Sequence, residues 1–394
     1  MQPLRGMTVV TLEHAIAAPL CTRHLADLGA RVIKIERPGV GDFARGYDTR
    51  TRGLASHFVW CNRSKESLTL DLKQPAAREV LDKLVARADV LVQNLAPGAA
   101  ARMGLDHASL ALRNLGLIVC DISGYGDGGP YTEKKAYDLL IQSESGFLSV
   151  TGTPEQTAKS GLSIADIAAG MYAYSAILAA LLERGRTGRG RRLEISMLEA
   201  MAEWMSYPLY YTLDGQPPPA RTGASHATIY PYGPFVCGDG KVVMLGVQNE
   251  REWAAFCDQV LGQAGLATHA DFKGNAQRQA NRDRLREIIE SVFAALTGAQ
   301  LVARLEAAQI ANAQLNEMSD LWQHAQLRAR ERWCEIDSPA GMLPALWPPH
   351  HAAGDAEAPR MDAVPALGQH TEAILAELGY TRDDIHRLRA AEAI

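Results

Sequence analysis

What the chain lacks narrows its chemistry first. Its six cysteines (Cys21, Cys61, Cys120, Cys237, Cys257 and Cys334) are scattered, with no close pair. Metal-ligand and redox spacings are therefore missing, and reduced thiols in a cytoplasmic protein are the expectation. Aromatic residues make up only 6% of the chain and the formal net charge is −5. With no basic run carrying interleaved aromatics, nucleic acid is excluded as a partner. No apolar run reaches the roughly 18 to 20 uncharged residues of a membrane span. Ile164 to Leu182 comes nearest, but it contains Asp166 and is rich in Ala and Gly, so it reads as a core helix and no membrane partner is expected. Met1 to Gly6 leads straight into an apolar strand, which leaves no room for a signal peptide. The only histidine pair, His350-His351, stands in a Pro-rich loop without an acidic or Cys cluster, so no metal site is expected there.

A dinucleotide fingerprint is also missing. The N-terminal part alternates strands (Met7–Leu12, Arg31–Glu36, 90–94, 117–121) with helices (17–28, 76–88), the pattern of a parallel α/β sheet of Rossmann-like type. Glu36 closes the second strand, as an acidic ribose ligand would. Yet the first turn reads His14-Ala-Ile-Ala-Ala-Pro19, with no glycine to let a pyrophosphate approach the backbone. Nicotinamide chemistry is discounted.

At 394 residues, two domains are expected. Residues 1–205 with 330–394 form the large Rossmann-like domain, and 225–325 a smaller α+β domain with a hairpin around Gly238-Asp-Gly240. The segments 206–224, which include Gln216-Pro-Pro-Pro219, and 326–329 are linkers. A capped helix, Thr371–Leu378 ending at Gly379, returns to the first domain.

Asp166 is the residue with the most to explain. It opens a segment, Ile164 to Glu183, that is apolar almost all round and so reads as a buried helix. A carboxylate there is costly to desolvate unless the helix N-terminus and nearby donors compensate. Two readings stand side by side. Ser163-x-x-Asp166 fits an ordinary capping pattern; equally, a carboxylate held dry at a helix start can be a nucleophile. Four cations, Arg37, Lys73, Arg102 and Lys135, lie after strands or in loops. Singly each reads as surface charge; together they suit a ligand with several phosphates.

Six segments in this order resemble the class III CoA-transferases, the family of formyl-CoA transferase and carnitine CoA-transferase. They are His14–Pro19, Val32-Ile-Lys-Ile-Glu-Arg37-Pro-Gly-x-Gly-Asp42, Asn94-Leu-Ala-Pro-Gly98, Gly124-Tyr-Gly-x-Gly-Gly-Pro130, Lys135-Ala-Tyr-Asp138, and Thr187-Gly-Arg-Gly190 leading to Ser196-Met197. The resemblance implies an enzyme that takes coenzyme A or acyl-CoA as substrate, with no permanently bound cofactor, and Asp166 as nucleophile. Ile16 and Ala17 would border the site. Arg37, Leu70 and Lys73 would hold the adenosine end, and Asn94, Leu95, Arg102 and Lys135 the phosphates and pantetheine arm. Tyr137, Asp138 and Met197 would stand beside the thioester. Gly246 and Gln248 fall where the family has a Gly-rich loop over the acyl group, but only one Gly is present, which argues against a lid of that kind. Ile16 replaces a Gln of formyl-CoA transferase, which argues against formate or oxalate.

The segments Ser225–Phe235 and Ile310–Leu315 resemble the branch that uses succinyl-CoA with itaconate, mesaconate, citramalate or malate. The second carboxylate of such an acid needs a cationic or hydrogen-bonding partner, for which Arg45 and His226 are the candidates; His226 reads equally as a turn residue. Two interlocked ring-shaped subunits are the implied assembly. The rivals are an α-methylacyl-CoA racemase and a non-catalytic acyl-CoA-binding protein. Racemases carry a His before the Asp that aligns with Asp138, where this chain has Tyr137, and a phenol is a poor base near neutrality.

Overall fold

The computed structural model describes residues 2–349 and 357–394, so His350-His351 lies outside the described residues. It divides into two units. The first comprises residues up to Ser145, Ser160–Ser206 and Leu327–Ile394; the second comprises Gly146–Lys159 and Tyr207–Gln326.

The first unit is built on six parallel strands: β1 (Thr8–Leu12), β2 (Arg31–Glu36), β3 (Lys65–Thr69), β4 (Val90–Gln93), β5 (Ile118–Ser123) and β6 (Arg192–Ser196). Their order is β3-β2-β1-β4-β5-β6, so the chain reverses direction across the sheet between β1 and β4. Val9, Val10, Val32, Ile33, Leu91 and Val92 are fully or almost fully buried, as expected of parallel strands covered on both faces. Helix α1 (Ala17–Asp27) follows β1 and is buried at all eleven positions. On the other face, α2 (Pro75–Val85) shares a core with Ile374 and Leu375 of α8 (Thr371–Glu377; α3 to α7 are introduced below) and Ile385 and Leu388 of α9 (Arg382–Ala390).

The helix that begins before Asp166, α4 (Ile164–Thr187), packs on α1 and corrects one expectation. Its apolar residues do not make it buried all round. Ala165, Ala168, Ala169, Gly170, Ala173, Ile177 and Ala180 form the buried stripe, while Met171 and Leu182 are exposed. The stripe repeats every three to four residues, so one face of a uniformly apolar helix is used and the other stays open in the single chain. By length and composition alone this helix could cross a membrane. The stripe is small for a reason. A Cβ on Gly170 would lie 2.7 Å from the Ala17 carbonyl oxygen, so glycine permits the close crossing of α1 and α4.

The second unit carries a three-stranded antiparallel sheet of β7 (Tyr232–Val236), β8 (Val242–Gly246) and β9 (Ala311–Gln314). Against it lie α6 (Arg282–Phe293) and α7 (Gly298–Ala307), around a core of Trp253, Phe256, Phe272 and Phe293. Arg278 is buried there, paired with Glu250 at 2.7 Å and donating to the Tyr230 carbonyl at 2.9 Å.

The Gly170 crossing generates a first test. Gly170→Ala forces a methyl group into backbone and should cost about 1–3 kcal/mol, read as a lower Tm. An unchanged Tm would contradict the crossing.

Candidate active site

Parallel sheets place ligands beyond the carboxyl ends of their strands, where the strand order reverses. This sheet has a cleft at that place. A cleft of about 810 Å³ is lined by residues His14–Ala17 after β1, Asn94–Pro97 after β4, Ile122–Gly124 at the end of β5, and Met197 after β6. Met197 opens α5 (Met197–Trp204). The remaining wall comes from Phe43, Tyr47, His57, residues 134–139, Ser163 and Asp166. The sheet therefore gathers Ile16, Ala17, Asn94, Leu95, Lys135, Tyr137, Asp138, Asp166 and Met197 around one space.

Asp166 sits in the first turn of α4 and faces the start of α1. Burial, with the negative charge of Asp138 added to it, pushes its carboxyl up to about 7 against the pull of a hydrogen bond from the Ala17 N–H. Helix α1 has no side-chain cap from Ile16, so the Ala17 N–H is left for the Asp166 carboxylate. The capping reading of Ser163 fails, because its side chain makes no cap bond to α4. Asp138, the first residue of α3 (Asp138–Glu144), does that work: its Oδ1 accepts from the Ala165 N–H at 2.9 Å.

The loop that presents Ala17 rests on buried charge. Lys34 lies mid-strand in β2 with 0% side-chain exposure, 2.8 Å from Asp42 and 3.2 Å from Glu13, both also at 0%. Lys65 reaches Glu13 at 2.6 Å. Asp42 then accepts from the Ala15 N–H at 3.1 Å, steadying a non-glycine residue at φ +62. Asn94 clamps His14 from both sides, accepting its N–H and donating to its carbonyl at 2.9 Å each. Burial alone would raise the Glu13 carboxyl, but the charges of Lys34 and Lys65 outweigh it and hold it at about 2. Burial brings Lys65 down to about 8 despite Glu13 beside it. Composition and motif did not reveal this network. The signal was there in Val32-Ile-Lys34-Ile35, since a lysine inside an otherwise apolar central strand needs a buried partner.

Several expected residues sit elsewhere or are already engaged. Arg45 is not free for a substrate carboxylate: it forms a two-pronged pair with Glu36 at 2.8 Å per bond and lies 3.7 Å from the Phe58 ring centroid. The Leu70 side chain belongs to the core at 1% exposure, leaving only its main chain for any ligand. Arg37, Lys73 and Arg102 are exposed but do not line the cleft. Lys135 is exposed on its wall, and neighbouring Lys134 pairs with Glu144 and lies over Tyr131. In the second unit, the His226 Nδ1 accepts from the Thr228 and Ile229 N–H groups at 3.1 and 3.0 Å, and the ring stacks on Tyr232. Its turn role is thus realised. Gly246 ends β8 against the Tyr232 ring, and the Gln248 N–H donates to Glu252.

A raised carboxyl has a stability signature. The Asp166 carboxyl goes from 3.8, its ordinary value, to about 7 in the folded chain, so folding binds a proton more tightly. The destabilisation is absent below the lower value, grows between the two and is complete above about 7. Compared with Asp166→Asn, the wild type should therefore lose Tm between about pH 4 and about pH 7, with no further loss above that. Parallel Tm profiles for the two proteins would contradict the raised carboxyl.

Comparisons with known proteins agree with this geometry. The family model described as CoA-transferase family III matches residues 4–371. A mouse protein named succinyl-CoA:glutarate CoA-transferase is 32% identical over 100% of this chain and 91% of its own. An Acetobacter aceti protein named acetyl-CoA:oxalate CoA-transferase is 36% identical over 74% of this chain and 75% of its own. The crystal structure of a CAIB/BAIF family protein from Brucella suis superposes with a TM-score of 0.82 at 34% identity, covering 96% of this chain and 99% of that one. With a parallel α/β sheet, a switch-point cleft and a family match across nearly its whole length, the chain belongs to CoA-transferase family III and is an enzyme of that class.

Proposed function

We propose that this enzyme moves CoA from succinyl-CoA to a small dicarboxylic acid through a thioester on Asp166. The observation that carries the reading is a carboxylate with a strongly raised proton affinity at the wall of the switch-point cleft, facing a helix N-terminus. The Asp166 carboxylate attacks the thioester carbonyl, giving a mixed anhydride and CoA thiolate. The thiolate attacks the aspartyl carbonyl, forming the enzyme–CoA thioester and releasing the donor acid. The acceptor acid reverses both steps and leaves as its own CoA ester. Dividing the exchange into covalent stages lowers each barrier. Water must stay out, because anhydride and thioester both hydrolyse.

The mouse relative's name supports succinyl-CoA as donor and a five-carbon diacid as acceptor. Ile16, an apolar side chain beside Asp166 in the cleft lining, supports a longer acceptor over oxalate. Arg37 and Lys73 would hold the adenosine end of CoA, with Asn94, Leu95, Arg102 and Lys135 along its phosphates and pantetheine arm. The open apolar face of α4 supports a homodimer, and six free cysteines support a reducing, cytoplasmic setting.

The test is a panel of glutarate, itaconate, mesaconate, citramalate, malate and oxalate incubated with succinyl-CoA. A four- or five-carbon acid should be converted fastest, and Asp166→Ala should lower the rate on the order of a thousandfold or more. Thioester exchange at full rate in Asp166→Ala would refute the nucleophile. Exchange of the acyl α-proton without thioester exchange would favour a racemase, although the position that would need an imidazole holds Tyr137, a phenol 69% exposed.

A further inference from the structure

Gln142 is fully buried one turn into α3, and neither the family motifs quoted above nor the chemistry proposed for Asp166 assigns it a task. Its amide is used at both ends. Nε2 donates to the Asp138 Oδ2 at 2.7 Å, and Oε1 accepts from the Ser160 N–H at 2.9 Å. The other oxygen of Asp138 accepts from the Ala165 N–H, the residue immediately before Asp166. Gln142 thus fixes which way the Asp138 carboxylate points, and ties the irregular segment leading into α4 to the same helix. Each Asp138 oxygen has its own donor, so the carboxylate cannot rotate without breaking a part-buried hydrogen bond.

We propose that Gln142 and Asp138 are a positioning pair for Asp166: Gln142 locks Asp138, and Asp138 holds both the start of α4 and its own negative charge against the reacting carboxylate. The proposal deepens the reading of Asp166 as nucleophile and rests on it. The consequence is chemical as well as geometric. A neighbouring anion makes Asp166 hold a proton more tightly, and a more basic carboxylate is the stronger nucleophile towards a thioester. Removing the neighbour's charge should leave Asp166 ionised to lower pH and less reactive once ionised. Other titratable groups share the cleft: His14, His57, Lys134, Lys135, Tyr47 and Tyr137. None of them bonds the Ala165 N–H, so the pair's substitution can be separated from theirs.

The experiment follows adduct formation on Asp166 by intact-protein mass spectrometry after mixing with succinyl-CoA alone. One enzyme carboxylate and one succinyl-CoA give one enzyme–CoA thioester and one succinate, so atoms and charge balance. The rate is measured across pH for the wild type, for Asp138→Asn, and for the Asp138→Asn/Gln142→Glu double variant. The double variant restores a donor facing an acceptor while moving the charge one side chain away from Asp166, which guards against a single variant that fails to fold. The acid limb should move down by roughly one pH unit in both, with the plateau rate falling severalfold. Gln142→Leu should lower the plateau while the donor's KM stays unchanged. A limb that stays in place in the folded variants, with adduct still forming, overturns the pair's role alone. No adduct in the wild type overturns the Asp166 reading and the pair's role with it.

Discussion

The site depends on one meeting, that of the Asp166 carboxylate in α4 with the Ala17 N–H at the start of α1. Everything nearby serves to make that approach close and fixed. Gly170 removes the side chain that would hold the helices apart, and the small residues of the α4 stripe let the crossing continue along the helix. The N-terminus of α1 offers donors and a partial positive charge to a group that burial would otherwise leave protonated. The carboxylate therefore sits near the balance point between its two forms. That suits the proposed nucleophile, which would have to be ionised to attack and then hold CoA in a dry space.

Beneath the loop lies a second constraint. Glu13, Glu36 and Asp42 face Lys34, Lys65 and Arg45, three carboxylates against three cations. Balanced buried charge of this kind contributes little net stability compared with a well-packed apolar core, but losing one partner costs about 3–5 kcal/mol. Its value here is directional. Asp42 fixes the Ala15 N–H, Asn94 fixes His14, and the Rossmann-like turn is tight without the glycine that dinucleotide enzymes use. The same strand order thus supports another ligand chemistry, because the turn has been rebuilt around buried charge.

Strands and the order of motifs were legible in the sequence because they rest on local signals: apolar runs, turn residues and helix periodicity. The alternation from Met7 to Asp121 gives the parallel sheet, and Arg31–Glu36 matches its strand residue for residue. What was not legible is long-range. The Ser163-x-x-Asp166 pattern pointed to a local cap, yet the cap comes from Asp138, twenty-seven positions upstream. Arg45 had the right charge for a substrate carboxylate, but Glu36 holds it. Leu70 matched a motif position, but its side chain belongs to the core. An apolar helix looked buried on every side because composition cannot say which face meets the rest of its own chain.

The central claim, that Asp166 itself exchanges acyl group and CoA, can be tested by following oxygen. When an acceptor acid attacks the aspartyl–CoA thioester, the bridging oxygen of the anhydride comes from the acceptor and stays on Asp166 after CoA departs. Turnover with succinyl-CoA and heavy-oxygen-labelled glutarate should therefore leave label in the peptide containing Asp166, detectable by mass spectrometry after digestion. Product formed at full rate with no label in that peptide would contradict the account.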